Sequence, residues 1–243
     1  MWNFIAVDKK ICYNPGMDVE KYLYLINFEF SERFGEFKKI LLEQNKICNL
    51  TSVCDDKGVF YKHFFDSIAG EFLFPNGAHV VEIGSGGGFP SIPLKIIRED
   101  LIFDLIESTG KKCTYLKQVV DKLGLNCVQV LNIRAEDGAR DKNLREKFDI
   151  SCARAVARLN TLAEYCMPFV KVGGSFIAYK GDCYDEIKEA ERAVKILGGE
   201  ISQVLTYDLP ENCGKRTLVN IKKVKSTPLI YPRGRGLERK KPL

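Results

Sequence analysis

Val80-Val81-Glu82-Ile83-Gly84-Ser85-Gly86-Gly87-Gly88-Phe89-Pro90 decides the fold. Its first four residues make a short run of strand type, glycines follow at the C-terminal end of that run, and a helical pattern begins near Ser91. In an open α/β sheet, ligands sit beyond the carboxyl ends of the strands, and glycine there lets the backbone approach a bound molecule without a Cβ in the way. A dinucleotide-binding turn needs a third glycine three residues after the second, where helix packs on strand around a pyrophosphate. Counted from Gly84 and Gly86 that place falls on Phe89, which disfavours a nicotinamide cofactor.

Outward from the loop, short apolar runs alternate with amphipathic stretches. Candidate strands lie at 79–83, 101–106, 127–131, 148–152 and 174–179, with helical patterns at about 92–98, 110–123, 160–170 and 183–197. That alternation is the signature of βα units around a mostly parallel sheet. Two further strands, near 201–207 and 217–224, are separated only by Asp208 to Arg216, too short a gap for a parallel crossover, so they must form an antiparallel hairpin. The expectation is an α/β, Rossmann-like sheet of seven strands with one reversed. Upstream, residues 18 to about 73 read as helical, with Leu23, Ile26, Phe30, Phe34, Phe37, Leu41 and Leu42 near three- and four-residue spacing. Asn49-Leu50-Thr51-Ser52 interrupts that block and is expected to cap the next helix. The chain thus divides into an N-terminal helical cap over 1–75, a ligand-binding domain over 76–225 and a basic C-terminal tail over 226–243.

With 243 residues, 45% hydrophobic and 28% charged, the chain can bury a core for one α/β domain with an appendage. Asp8, Lys9 and Lys10 precede any sustained apolar run, and no stretch reaches the roughly 18 apolar residues of a membrane span, so a soluble, cytoplasmic protein is expected. Nine cysteines without a C-x-x-C pair, and only His63 and His79 beside them, support neither a disulfide framework nor a metal site. The net charge of +5 is unevenly spread: from Lys215 onward ten Lys or Arg face one acid, Glu238, giving +9 there and −4 elsewhere. A basic end on a mildly acidic body points to a polyanion met at one place, such as nucleic acid. A solvated, frayed tail is the plainer alternative.

Glu107 ends the second strand, 23 residues after Gly84, where a carboxylate can accept hydrogen bonds from two ribose hydroxyls. Arg134-Ala135-Glu136 follows the third strand, where an adenine edge would lie, and Arg154 follows the fourth at the rim of the same crevice. His63 and Asp66 lie three apart on one helical face, either as a structural pair or as part of the chemistry. The spacing of Glu82, Gly84, Gly86 and Gly88 resembles the first motif of S-adenosylmethionine methyltransferases.

Several stretches together resemble the bacterial small-subunit ribosomal RNA guanine-N7 methyltransferase G family, also called glucose-inhibited division protein B. They are Asn49-Leu50-Thr51-Ser52, Lys62-His63-Phe64-Phe65-Asp66-Ser67, Gly84 to Pro90, Arg154-Ala155-Val156-Ala157-Arg158-Leu159, Tyr231-Pro232-Arg233 and Lys240-Lys241-Pro242-Leu243. Their order and spacing run from about residue 20 to the end. The resemblance implies a class I methyltransferase that binds S-adenosylmethionine through Gly84, Ser85, Gly86, Phe89, Glu107, Ser108, Thr109, Ala135, Glu136 and Arg154. It further implies methylation of guanine N7 in a decoding-region loop of 16S ribosomal RNA, by a monomer that acts on RNA or on the ribosomal subunit. Ser91 stands where the family commonly has another glycine, and Glu107 where Asp is commoner.

Guanine N7 carries an in-plane lone pair and no proton, so alignment rather than a general base is the expected work of the enzyme. In keeping with this, the fourth strand lacks the Asn/Asp-Pro-Pro-aromatic loop of exocyclic amine methylation, and no Pro-Cys pair offers a covalent nucleophile. The candidate catalytic residues are Arg154, as an orienting group, and His63. Lys215, Arg216, Arg233, Arg235, Arg239, Lys240 and Lys241 are the candidate RNA contacts. Two alternatives stand beside this reading: a methyltransferase for a small molecule or a protein, and a non-catalytic RNA-binding assembly factor.

Overall fold

The structure, a computed structural model, describes residues 19–154 and 157–243. The first 18 residues of the expected cap, and Ala155 and Val156 of the family stretch, lie outside the described residues. The cap opens with α1 (Val19–Tyr24), continues through a π-helical turn (Leu25–Glu29) into α2 (Ser31–Cys48), and ends in α3 (Asp56–Gly58), a second π-helical turn (Val59–Phe65) and α4 (Asp66–Ile68). Phe34, Phe37, Ile40 and Leu41 line the buried face of α2. The interruption at 49–52 is present, but its role differs from the expectation. Asn49, in the left-handed region at φ 49°, ends α2. The Asn45 side chain then locks the turn by accepting from Leu50 N and Thr51 N at 2.7 and 2.9 Å. The cap of the next helix is Asp55, whose carboxylate accepts from Gly58 N at 2.7 Å. Asp55, unlike Thr51 and Ser52, immediately precedes the first helical residue, so its carboxylate reaches the free N–H at the third helical position.

The sheet contains β1 (His79–Ile83), β2 (Ile102–Ile106), β3 (Val128–Leu131), β4 (Phe148–Arg154), β5 (Val170–Lys180), β6 (Gly199–Asp208) and β7 (Lys215–Lys223). Its order is β3-β2-β1-β4-β5-β7-β6, and only β7 runs against the rest. The hairpin is therefore as expected, with β7 slotted between β5 and the edge strand β6. Helices α5 (Ser91–Ile97), α6 (Gly110–Lys122), α8 (Leu159–Cys166) and α9 (Tyr184–Ile196) fill the connections. Two short helices, α7 (Ala135–Gly138) and α10 (Leu237–Lys240), have too few residues to leave a periodic signal.

Because alternate strand residues face opposite sides, two cores form. Val80, Phe103, Ile150 and Ile177 pack with the cap and α6, while Val81, Ala153, Phe176 and Ala178 pack with α8 and α9. The same parity puts Glu82 and Arg154 on the cap side. The order reverses between β1 and β4, and the crevice at such a reversal is where open α/β sheets take ligands.

The C-terminal segment is packed, not frayed. Buried Lys223 donates to Met167 O and Thr227 Oγ1, and Arg145 donates to the carbonyls of Thr227 and Tyr231. Glu238, fully buried in α10, accepts from Gly234 N, and its carbonyl accepts from Thr161 Oγ1 at 2.8 Å.

Candidate functional site

The glycine loop is tied down from below. Gly84 N and Ser85 N both donate to Ile106 O, at 2.9 and 3.1 Å, and Tyr115 OH donates to Gly87 O at 3.1 Å. Gly88, at φ +85°, leaves no room for a side chain: an added Cβ would lie 2.6 Å from Ile92 Cγ1. Gly86, at φ +48°, is the opposite case, since a Cβ there would meet nothing nearer than 3.7 Å. One glycine answers packing and the other leaves open space.

Glu107, 7% exposed, accepts from Gly86 N at 3.0 Å through one oxygen and from Thr109 N at 2.8 Å through the other. It therefore joins the glycine loop to the end of β2 and still has lone pairs to offer. Beside it opens a cavity of about 350 Å³ lined by Gly84, Ser108, Ala135, Glu136, Tyr165, Gly236 and Arg239. Tyr165, Gly236 and Arg239 belong to α8 and to the C-terminal segment. Nothing in their local sequence marks them as cavity residues, because only the packing of α10 on α8 brings them there.

Two of the candidate cofactor residues point elsewhere. The Ser85 hydroxyl is buried and turned toward Glu82 O and Ile106 O. The Phe89 ring is buried against the cap, with centroids 5.3 Å from Phe37 and 4.5 Å from His63. Phe89 is thus the anchor that seats the cap on the loop.

Arg154 lies over the same ring, its Cζ 4.7 Å from the centroid. Its guanidinium donates to Lys62 O at 3.0 Å and to Asp66 Oδ2 at 3.2 Å, and it lies 3.0 Å from His63 Nδ1. Both His63 and Asp66, read from sequence as a pair, are thus drawn to a residue about 90 positions away. Tyr207 OH donates to Asp66 Oδ1 at 2.8 Å, and Arg216 Nε lies 3.4 Å from Asp66 Oδ2. A cavity of about 340 Å³ opens over this cluster, lined by Lys62, His63, Asp66, Arg154, Lys180 and Arg216. Burial and the nearby Arg154 charge push the His63 pKa down to about 3, so the imidazole is neutral at physiological pH.

Glu82 was visible in sequence only as part of a spacing. It is 1% exposed, its Oε2 accepts from Ser91 N at 3.3 Å, and its Oε1 has no hydrogen-bond partner among the described residues. Burial pushes its pKa up to about 7.

The candidate RNA contacts separate into groups. Lys215, Arg235, Lys240 and Lys241 are exposed, and Arg216 lines the Arg154 cavity. Arg239 lines the cavity beside Glu107. Arg233 is an internal clamp: its Nε, Nη2 and backbone N–H all donate to Glu164, a fully buried carboxylate. A third cleft, about 500 Å³, gathers Arg134, Arg140, Arg233 and Arg235 around Glu136 and Asp137.

A family model described as GidB, rRNA small subunit methyltransferase G, matches residues 31–217. A ribosomal RNA small subunit methyltransferase G of Brevibacillus brevis is 46% identical over 215 residues, covering 87% of this chain and 90% of its own. Another, of Clostridium beijerinckii, is 43% identical over 243 residues and covers 99% of each chain. Among solved structures, a SAM-dependent methyltransferase from Aquifex aeolicus superposes with a TM-score of 0.52 over 70% of this chain and 94% of its own. At 17% identity that likeness speaks for the fold.

Proposed function

Because the chain belongs to the rRNA small subunit methyltransferase G family, we propose that it transfers the methyl group of S-adenosylmethionine to N7 of a guanine in small-subunit ribosomal RNA. The observation that carries this reading is the crevice between β1 and β4, where the glycine loop ends in Phe89 and the Arg154 guanidinium lies on that ring.

The residues present suit the cofactor. Gly86 leaves space where a side chain would intrude, Glu107 offers a buried carboxylate to ribose hydroxyls, and the unpartnered Glu82 oxygen suits the cationic end of an amino acid. When bound, S-adenosylmethionine supplies a methyl group made electrophilic by its sulfonium. Ala135 and Glu136 line the cavity that would take the adenine. Guanine N7 has no proton to lose, so the neutral His63 has none to receive. Arg154 cannot grip O6 and N7 together in the usual bidentate way, because N7 must stay open to the methyl; it serves O6 or a phosphate instead. The exposed cations Arg235, Lys240 and Lys241 hold RNA phosphates. No helix among the described residues is long and apolar enough to cross a membrane.

The test is incubation of the purified protein with methyl-labelled cofactor and small-subunit RNA or subunits, followed by nucleoside analysis. Label is expected in 7-methylguanosine, reduced about tenfold or more by Arg154→Ala at saturating cofactor. Label in another nucleoside or only in protein contradicts the substrate, and an undiminished Arg154→Ala removes that residue from the mechanism.

A further inference from the structure

The two ring nitrogens of His63 face different neighbours. Nδ1 lies 3.0 Å from Arg154 Nη2, and Nε2 lies 2.7 Å from Thr51 Oγ1. Guanidinium has five N–H donors and no acceptor, so a contact at 3.0 Å requires a lone pair on Nδ1. A neutral imidazole with a bare Nδ1 carries its proton on Nε2, where Thr51 Oγ1 can accept it. That oxygen also accepts from Val53 N at 3.0 Å, which its second lone pair allows. The competing acceptor for a proton on Nδ1 is Lys62 O, 3.2 Å away. That carbonyl already accepts from Arg154 Nη1 at 3.0 Å, and an N–H on Nδ1 would face the guanidinium donor head-on.

The charges around the ring favour the same state. Arg154 of β4, Arg216 of β7 and Lys62 of its own turn are cations facing His63. Asp66, the nearby anion, is turned to Arg154, Arg216 and Tyr207. Phe89 is stacked on one face of the imidazole, with 22° between the planes.

We propose that His63 is a permanently neutral imidazole, protonated on Nε2, whose Nδ1 lone pair fixes the Arg154 guanidinium against Phe89. It is a positioning residue for methyl transfer, and it carries no proton during the reaction. The Arg154 guanidinium, a donor only, selects the tautomer, and Thr51, from the turn that interrupts the cap helices, accepts the proton on Nε2. The pKa depression of His63 agrees with this arrangement, and the role given to it rests on the reading of Arg154 as the group that orients the acceptor base.

Nitrogen-15 NMR of the full chain tests the state directly, since His63 and His79 are its only histidines. His63 is expected to show an unprotonated Nδ1 and a protonated Nε2, unchanged between about pH 5 and pH 8, whereas an ordinary histidine titrates in that range. A proton on Nδ1, or titration within that range, overturns the proposal. The role is tested by two amides. His63→Asn presents an oxygen where Nδ1 stood, and His63→Gln reaches only to the place of Nε2. In single turnovers at saturating cofactor, His63→Asn is expected within about threefold of the parent and His63→Gln slower by about tenfold or more, the worth of one hydrogen bond to a charged group. Cofactor affinity should be the same in both. Equal losses in two folded variants overturn the positioning role. If Arg154→Ala is as fast as the parent, the functional reading of Arg154 fails while the NMR result still decides the state of His63.

Discussion

A buried carboxylate oxygen without a partner, as in Glu82, works against stability and can be retained for binding. The pKa of Glu82 is raised from 4.5 to about 7, so its effect on stability has a definite pH window. Below pH 4.5 folded and unfolded chains both hold the proton and the group costs little. Between there and about pH 7 the folded state keeps a proton the unfolded chain has lost, so stability falls as pH rises. Above that window the full penalty remains, at most about 3 kcal/mol. Glu82→Gln is therefore expected to raise the melting temperature of the cofactor-free protein at about pH 8 and to change it little at about pH 4.5. It should also weaken cofactor binding in calorimetry. A variant no more stable at the higher pH would show that the carboxylate has a partner in solution. Sequence shows Glu82 two residues before a glycine; that one of its oxygens has no hydrogen-bond partner among the described residues is visible only in the folded chain.

At the scale of elements, what was legible depended on the range of the interactions. Every strand and the four helices that connect strands, α5, α6, α8 and α9, can be read locally, because period and glycine position are local properties. The hairpin followed from a gap too short for a crossover, but which of its strands meets β5 did not. The burial of β7 decides that: Leu218, Val219 and Ile221 are buried, and β6 takes the half-exposed edge. Phe89 read as a missing glycine, and its role as the seat of the cap depends on Phe37 and His63, far away in sequence. The C-terminal segment is the largest case, since its charge was plain but its partner Glu164 lies 69 residues from Arg233. Arg233→Ala strands a buried carboxylate, and losing one member of such a pair costs about 3–5 kcal/mol. The expected result is faster amide exchange across residues 228–243 and weaker cofactor binding, because Gly236 and Arg239 wall the cavity beside Glu107. Unchanged exchange would mean that Lys223 and Arg145 hold the segment unaided.

At the scale of the molecule, the basic end and the cavity beside Glu107 form one surface, since Arg134 and Glu136 line both that cavity and the arginine cleft. RNA held by the exposed cations would thus lie beside the cofactor. Replacing Arg235, Lys240 and Lys241 by Gln leaves the Arg233 clamp and the Arg239 wall intact. It should lower RNA affinity and reduce the salt slope by about 0.7 per lost contact to a single strand. An unchanged slope would exclude these side chains from the phosphate contacts.

The central claim, methylation of one guanine N7 in small-subunit ribosomal RNA, is tested most directly by mass mapping of that RNA from cells with and without the protein. A single 7-methylguanosine is expected to disappear when the protein is absent and to return with the intact chain but not with Arg154→Ala. An identical modification map in both cells would contradict it.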